Sequence, residues 1–449
     1  MVTSLRAFDS GLHEEHLEEV SFLYEQRQML RVLPNHRWQD MAAIEERLEA
    51  HLDALVVGGD LALEVCTRAV VEGDFGQVFG AVCTFCRQIR APLLADALKV
   101  LDYADPKKVV AVADALKHES PPEWSTFIAH ALARLDARLA PLLAAVAGHR
   151  RMHATAASLA DALVRQPSHA VDFLDALGRL HAIEARALLL RHMEHADHRV
   201  RRAALLALLR CGLSVSPASL GAAAAEPWAC VPLAIGADRS LRSALLQSLQ
   251  TRDTPKDCLL ALGLLGDPAA LGPLAEFLDD ERGAPAAAQA LEWITGARLR
   301  EQLFVPEEVD EALLFKHELA AWQQYKQAPR RLDGEPYGEN VERVCQDKAA
   351  WKSWLANHGH RFDASLRYRN GRPVSPTTLL ADLAAPDSSA LLRPFTALEL
   401  EIRYGCNAAY EVDMPVAAQM RALRQMDAWV RGQSDRFEPG RWYFQGEVL

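Results

Sequence analysis

From the first helical signal to residue 296, apolar positions recur at the spacing of short helices. The clearest stretch is Ala261–Gly296, A-L-G-L-L-G-D-P-A-A-L-G-P-L-A-E-F-L-D-D-E-R-G-A-P-A-A-A-Q-A-L-E-W-I-T-G. Gly266, Asp267 and Pro268 stop one helix and start another: glycine suits the C′ position, aspartate the N-cap and proline the first turn. Leu271, Leu274, Phe277 and Leu278 then follow at helical steps. After a break at Asp279–Gly283, so do Ala287, Ala290, Leu291 and Ile294. Helices this short cannot bury their apolar faces alone, so the pattern predicts pairs stacked on copies of themselves.

Upstream, an acidic amphipathic helix is predicted over about 12–33, with Leu17, Val20, Leu23 and Leu30 on one side and Pro34 at or just beyond its end. Met41, Ile44, Leu48, Leu52 and Leu55 mark a second helix, opposite Glu45, Glu46, Glu49 and Asp53; Gly58-Gly59-Asp60 closes it. Shorter helices are expected near 61–71, 77–90, 92–101 and 107–117. A long helical stretch from Trp124 to Ala147, interrupted or kinked at Pro141, follows Ser120-Pro121-Pro122. A-L-G-R-L at 176–180 matches A-L-G-L-L at 261–265; the offset of 85 residues (261 − 176) fits two units of about 40–47. Between them, Asp197–Leu208 has an N-cap aspartate and then small residues that admit a close neighbour. No strand-like alternation of any length appears in this part.

Past Gly296 the texture changes. Leu303–Pro306 is expected as a connector, 309–325 as a helix, and the Pro-, Gly-, Arg- and Asp-rich stretch 327–339 as a long loop. A helix with Trp351 and Trp354 follows over 348–357, then a turn at 358–362. Residues 367–373 form a short extended segment or loop, and a helical pair at about 390–404 and 415–433 precedes the aromatic tail Trp442-Tyr443-Phe444. This region is expected to cap the apolar end of the stack. The predicted class is all-α, organised as a helical region with degenerate repeats (1–150), regular repeats (151–300) and a C-terminal capping and binding region (301–449).

Composition narrows the function classes. Half the residues are apolar, and the formal charge of −11 argues against a nucleic-acid backbone as the main partner. The amino terminus lacks the features of a secretory signal. No apolar run reaches the length of a membrane span; Leu139–Ala147 is among the longest. Eight cysteines in such a chain point to free thiols and the cytoplasm. No G-x-S-x-G elbow, phosphate-binding loop or H-E-x-x-H pair is present, so neither catalytic residues nor a cofactor is expected.

Several clusters resemble sites without meeting their requirements. Cys83 and Cys86 form a CxxC inside an apolar helical pattern, which favours buried thiols over redox or metal chemistry. His192, His195, Asp197 and His198 offer ligand types at helical spacing but no second ligand pair, so an exposed turn is preferred to zinc. His149 and His153 sit one turn apart with no acid or thiol nearby in sequence, and no metal is assigned. The acidic faces at Glu14–Glu19 and Glu45–Asp53 are expected to be solvated. The strongest surface candidate is Trp351, Trp354, Arg367, Tyr368 and Arg369, the residue types that anchor interfaces. The competing reading has the tryptophans in the C-terminal core and the arginines paired with acids.

D-x-x-V-R-x-A-A-L-x-A-L at Asp197–Leu208 and A-L-G-x-L-G-D-P at Ala261–Pro268 resemble HEAT and HEAT-like (phycobilisome-lyase type) repeats. The resemblance implies an α-solenoid of stacked antiparallel helix pairs, with structural roles for Asp197, Val200, Arg201, Gly266, Asp267 and Pro268. It departs from the pattern near Arg282–Ala287, where the Val-Arg pair is missing and Pro285 intrudes. A narrower resemblance rests on H-L-E-E-V-S-F-L-Y-E-Q-R at His16–Arg27, the Ile44–Gly59 run, W-I-T-G at 293–296 and R-Y-R-N-G-R-P at 367–373. Together these are similar to a bacterial family of HEAT-repeat proteins found alongside type VI secretion components. That resemblance implies a non-enzymatic scaffold or adaptor that binds another protein, an effector or a spike component. The alternative is an immunity protein that neutralises a cognate toxin. A third reading is a helical-repeat enzyme, such as an alkylpurine DNA glycosylase or a bilin lyase; a glycosylase needs a basic concave face, which the acidic composition disfavours. Oligomeric state is left open.

Overall fold

The computed structural model describes residues 4–33, 36–134, 136–213, 226–250, 256–433 and 435–449; Pro34 lies outside them. Among these residues, 22 α-helices dominate, 68% of the structure is helical, and strands are short. The first twelve helices are α1 (Leu5–Val32), α2 (Ala42–Val57), α3 (Gly59–Glu72), α4 (Phe75–Arg87), α5 (Ala91–Val100), α6 (Pro106–Glu119), α7 (Ser125–Arg134), α8 (Ala140–His149), α9 (Ala156–Arg165), α10 (Ala170–Arg179), α11 (Arg186–His192) and α12 (His198–Arg210). Then come α13 (Pro227–Gly236), α14 (Leu241–Leu249), α15 (Lys256–Leu265), α16 (Leu271–Glu276) and α17 (Ala284–Thr295).

Eight of these helices form one inner row in which each packs on the next: α4, α6, α8, α10, α12, α13, α15 and α17. The helices between them cover the row, and the arrangement is consistent with a helical repeat or solenoid. The A-L-G signal now has a physical reason. A Cβ on Gly178 would lie 2.7 Å from the Cα of Ala207, and one on Gly263 would lie 2.7 Å from the Cα of Ala290. Each glycine lets the next inner helix come to backbone contact.

Most of the inner helices also share an ending. Arg151, His181, Gly212, Gly266 and Gly296 all take positive φ just past their helices. After α8, α10 and α12 the chain closes with Schellman-type bonds, Met152 N to Ala147 O (2.9 Å), Ala182 N to Leu177 O (3.1 Å) and Leu213 N to Leu208 O (3.0 Å). These positions recur at 30 (181 − 151), 31 (212 − 181) and 30 (296 − 266) residues. The period is therefore shorter than 40–47 residues, and the 85 residues from Ala176 to Ala261 hold three steps along the row, not two.

Other expectations need correction. The stretch from Trp124 to Ala147 is two helices, parted by a turn before Ala140, and Pro141 sits in the first turn of α8 rather than kinking a long helix. One apolar core runs across residue 150, from Leu17 to Cys211. Asp197 caps α12 through Arg199 N and pairs with Arg199 on its own turn, while Arg201 lies over the Trp228 ring at 5.0 Å and Val200 is buried. The link to a preceding helix is made at Asp267, which is fully buried, caps the turn begun by Pro268, and pairs with Arg242 of α14.

The C-terminal region contains β1 (Arg300–Pro306), α18 (Lys316–Tyr325), β2 (Gly338–Val344), α19 (Lys348–His358), β3 (Tyr368–Arg369), β4 (Arg372–Pro373), α20 (Pro376–Ala384), α21 (Arg393–Tyr404), α22 (Val416–Gly432), β5 (Tyr443–Phe444) and β6 (Glu447–Val448). The expected connector at Leu303–Pro306 is part of β1, which pairs antiparallel with β2 from Arg300↔Val344 to Pro306↔Gly338. Its residues are exposed on both faces, so no burial imposed the alternation that would have marked a strand. The region covers the last inner helix, α17, through β2 and β3. It packs alongside the inner row, and Trp38 and Met41 from the N-terminal part share a core with α20, α21 and α22.

Because the contact at Gly263 is backbone to backbone, Gly263→Ala is expected to destabilise by about 1–3 kcal/mol in equilibrium urea unfolding. Gly272→Ala, whose added Cβ meets nothing within 4 Å, should leave the midpoint unchanged or slightly raised.

Candidate functional site

A row of helices ending on one edge presents carbonyls without intrahelical partners. The C-terminal region supplies donors to them in order. The β3–β4 turn takes the left-handed conformation at Asn370 and Gly371, and its amides donate to Trp293 O (2.7 Å) and Ile294 O (3.0 Å) at the end of α17. Arg367 donates to Leu265 O (2.9 Å) and Leu264 O (2.8 Å), and Arg369 donates to Leu264 O (3.0 Å), completing the end of α15. Arg403 donates to Ala234 O (2.7 Å) and Ala237 O (3.0 Å) at the end of α13.

These three guanidinium groups are fully buried around one carboxylate. Glu399 contacts Arg367, lies 3.0 Å from Arg369 and lies 3.6 Å from Arg403. Burial lowers all three arginines from their ordinary range, Arg369 and Arg403 to about 10, so both stay charged at neutral pH. Glu399 and the negative ends of the helices are the compensation.

Carboxylates continue the pattern down the row. Glu401 stands 3.4 Å from His181 and 3.5 Å from Arg210. Glu411 pairs with Arg151 (2.9 Å) and Arg179; burial works to raise its carboxyl, but the guanidiniums of Arg179, Arg151 and Arg210 outweigh that and hold it low. Asp413 lies 3.2 Å from His149 and 3.7 Å from Lys117. Val416 N donates to Glu45 (2.6 Å), whose partner Arg27 donates to Asp413 O (2.8 Å). Arg151 and His181, two non-glycine residues held at positive φ, thus aim their side chains at this segment. Left-handed backbone at such residues costs about 1–2 kcal/mol, which the ion pairs offset.

The sequence-predicted interface residues belong to this buried seam. Trp351 is fully buried and donates Nε1–H to Cys345 O (2.7 Å), Tyr368 is buried, and only Trp354 is half-buried. Trp351, Trp354, Arg367, Tyr368 and Arg369 therefore do not form an exposed patch; all but the half-buried Trp354 are core, with the arginines paired to Glu399. All eight cysteines are buried, and burial raises the thiols of Cys83 and Cys86. His192 and His195 stack at 6.3 Å, and His195 accepts from Asp197 N, making a local turn.

Sequence reasoning missed the acid that belongs to His149. Asp413, 264 residues later, meets it, and His118 from the last turn of α6 completes a group whose ligand atoms all lie within 4.8 Å of one another. Burial, then the neighbouring His149, lowers His118 to about 3, leaving a neutral imidazole. Burial opposes ionisation of Asp413, but the hydrogen bond and charge of His149 with the charge of Lys117 hold it well below the usual carboxylate range. His118 and His149 open onto a cleft of about 900 Å³ that Glu45, Glu49, Arg87 and Glu119 also line.

A second feature stands away from the seam. The β1–β2 ribbon and α18 form an arm from Arg300 to Val344, rooted by Cys345 N to Leu299 O (3.0 Å) and by Arg300 to Glu292 (3.2 Å). Its tip exposes Leu313 (82%) and Phe315 (72%), and Leu303, Phe304, Val305, Tyr325 and Leu332 are exposed as well. No protein-family model matches the chain, and no curated protein is significantly similar to it.

Removing the shared counter-charge leaves three guanidiniums buried without it. Glu399→Gln is accordingly expected to lose about 3–5 kcal/mol of unfolding free energy. Glu438→Gln, which loses only an exposed pair with Arg441, should stay within about 0.5 kcal/mol.

Proposed function

We propose that this chain is a non-enzymatic protein-binding scaffold whose docking element is the arm, Arg300–Val344. The observation that carries the reading is the exposure of large apolar side chains along one projecting element. An apolar surface that the chain leaves uncovered marks an interaction site when it is contiguous and carried by an ordered element. The seam is ruled out as the docking groove, because the chain's own segment from Glu399 to Val416 already occupies the ends of the inner row. A partner gripped by the arm would meet Phe315 and Leu313 at the tip and the open edges of β1 and β2 along the ribbon, where strand addition is available.

The partner class follows from the resemblance to HEAT-repeat proteins encoded beside type VI secretion components: an effector or spike protein of that contractile system, met in the cytoplasm. The net charge of −11 accords with a protein partner rather than a nucleic acid.

The test is a double substitution at the tip. Leu313→Asp with Phe315→Asp should abolish co-purification of the secretion component from the native cell while leaving the melting temperature within about 1–2 °C, because these side chains contribute little burial to the fold. Undiminished capture by this variant would refute the arm as the docking element. Capture that lacks any secretion component would refute the partner class.

A further inference from the structure

We infer that His118, His149 and Asp413 form a binding site for a divalent transition-metal ion, with zinc as the best fit. The inference is independent of the arm. His118 lies in the last turn of α6, and His149 is the final residue of α8, the neighbouring inner helix. Asp413 arrives from the segment that crosses both helix ends. Three donors from three separate elements converge, with ligand atoms no more than 4.8 Å apart.

The geometry is close to what an ion requires. Donors bound to tetrahedral zinc at about 2.0–2.1 Å stand about 3.3 Å from one another. His149 Nε2 and Asp413 Oδ1, at 3.2 Å, already have that separation. The widest separation must shorten by about 1.5 Å, a side-chain adjustment within reach of His118, which is half-buried and borders the cleft. Two imidazoles and one carboxylate suit zinc, cobalt, nickel or ferrous iron. The same set has too few oxygens for calcium or magnesium.

The surroundings allow the ion its charge. Lys117 approaches Oδ2 of Asp413 at 3.7 Å and also pairs with Asp114 at 3.1 Å. An ion held through Oδ1 leaves Oδ2 to the lysine. Arg27 fixes the Asp413 backbone by donating to its carbonyl at 2.8 Å. On the open side, Glu119 and Glu49 line the cleft but are held by Arg87 at 2.9 and 2.7 Å, which leaves the remaining position to water. Filling the site would tie α6, α8 and the C-terminal segment together, and binding to the folded state alone raises its stability.

The full-length chain, stripped with chelator, is titrated with Co²⁺ and read by visible absorption, then with Zn²⁺ in competition, and melted with and without Zn²⁺. One equivalent of Co²⁺ with the intense bands of a four-coordinate ion is expected, displaced by Zn²⁺, with a Zn²⁺-dependent rise in melting temperature. His118→Asn and Asp413→Asn should each weaken binding by more than the roughly 10- to 100-fold that loss of an outer partner costs. His153→Ala, whose ring instead meets Leu180 O at 3.1 Å, should bind like the parent. Because His118 is only half-buried, its variant keeps the test valid if Asp413→Asn fails to fold. Absence of a Co²⁺ spectrum in the parent protein would overturn the site, and so would a spectrum and affinity that survive His118→Asn.

Discussion

Charge buried at helix ends holds this molecule in its shape. Inner helices packed through glycine and alanine end along a common edge, and each ends with carbonyls that its own backbone cannot satisfy. Arg367, Arg369 and Arg403 answer those carbonyls at α15 and α13, and the backbone of the Asn370-Gly371 turn does the same at α17. Three buried cations would be intolerable without compensation, and Glu399 sits among them. The C-terminal region is thereby an integral part of the stack rather than an appendage to it.

Further along the row the chemistry changes sign. The helices there end with basic side chains at or beside their last turns, Arg210, His181, Arg179, Arg151, His149 and Lys117. The crossing segment answers with Glu401, Glu411 and Asp413. Alternation of this kind sets the register of the segment, because sliding it by one helix would place a carboxylate among carbonyls or an arginine among arginines. It also explains why Arg151 and His181 tolerate a left-handed backbone where the following steps use glycine.

Much of the layering was legible in the chain. The Gly266-Asp267-Pro268 punctuation, the N-cap at Asp197 and the A-L-G recurrence correctly mark helix ends and close approaches. The period was misread because the copies of A-L-G are separated by three steps whose middle members read A-L-L at α12 (207–209) and A-I-G at α13 (234–236), neither identical to the motif. α20 was not predicted, although Ser375 followed by Pro376 and Thr378 is the capping-box start that could have marked it. The arm escaped notice because strands exposed on both faces carry no alternation.

The site was less legible for a different reason. Whether Arg367 and Arg369 face solvent or the core depends on a carboxylate 30 and more residues away and on carbonyls about 100 residues upstream. The partner of His149 lies 264 residues downstream, beyond any spacing rule. Residue types announced that these positions matter; only the return of the chain along the row assigned them to its interior. The inner row and the segment across its ends should then open as one cooperative unit. Native-state hydrogen exchange followed by mass spectrometry measures this directly. The account predicts that amides of α21 (Arg393–Tyr404) exchange with the same opening free energy as those of α13 and α15. Exchange of α21 at several kcal/mol less, with α13 and α15 still protected, would contradict it.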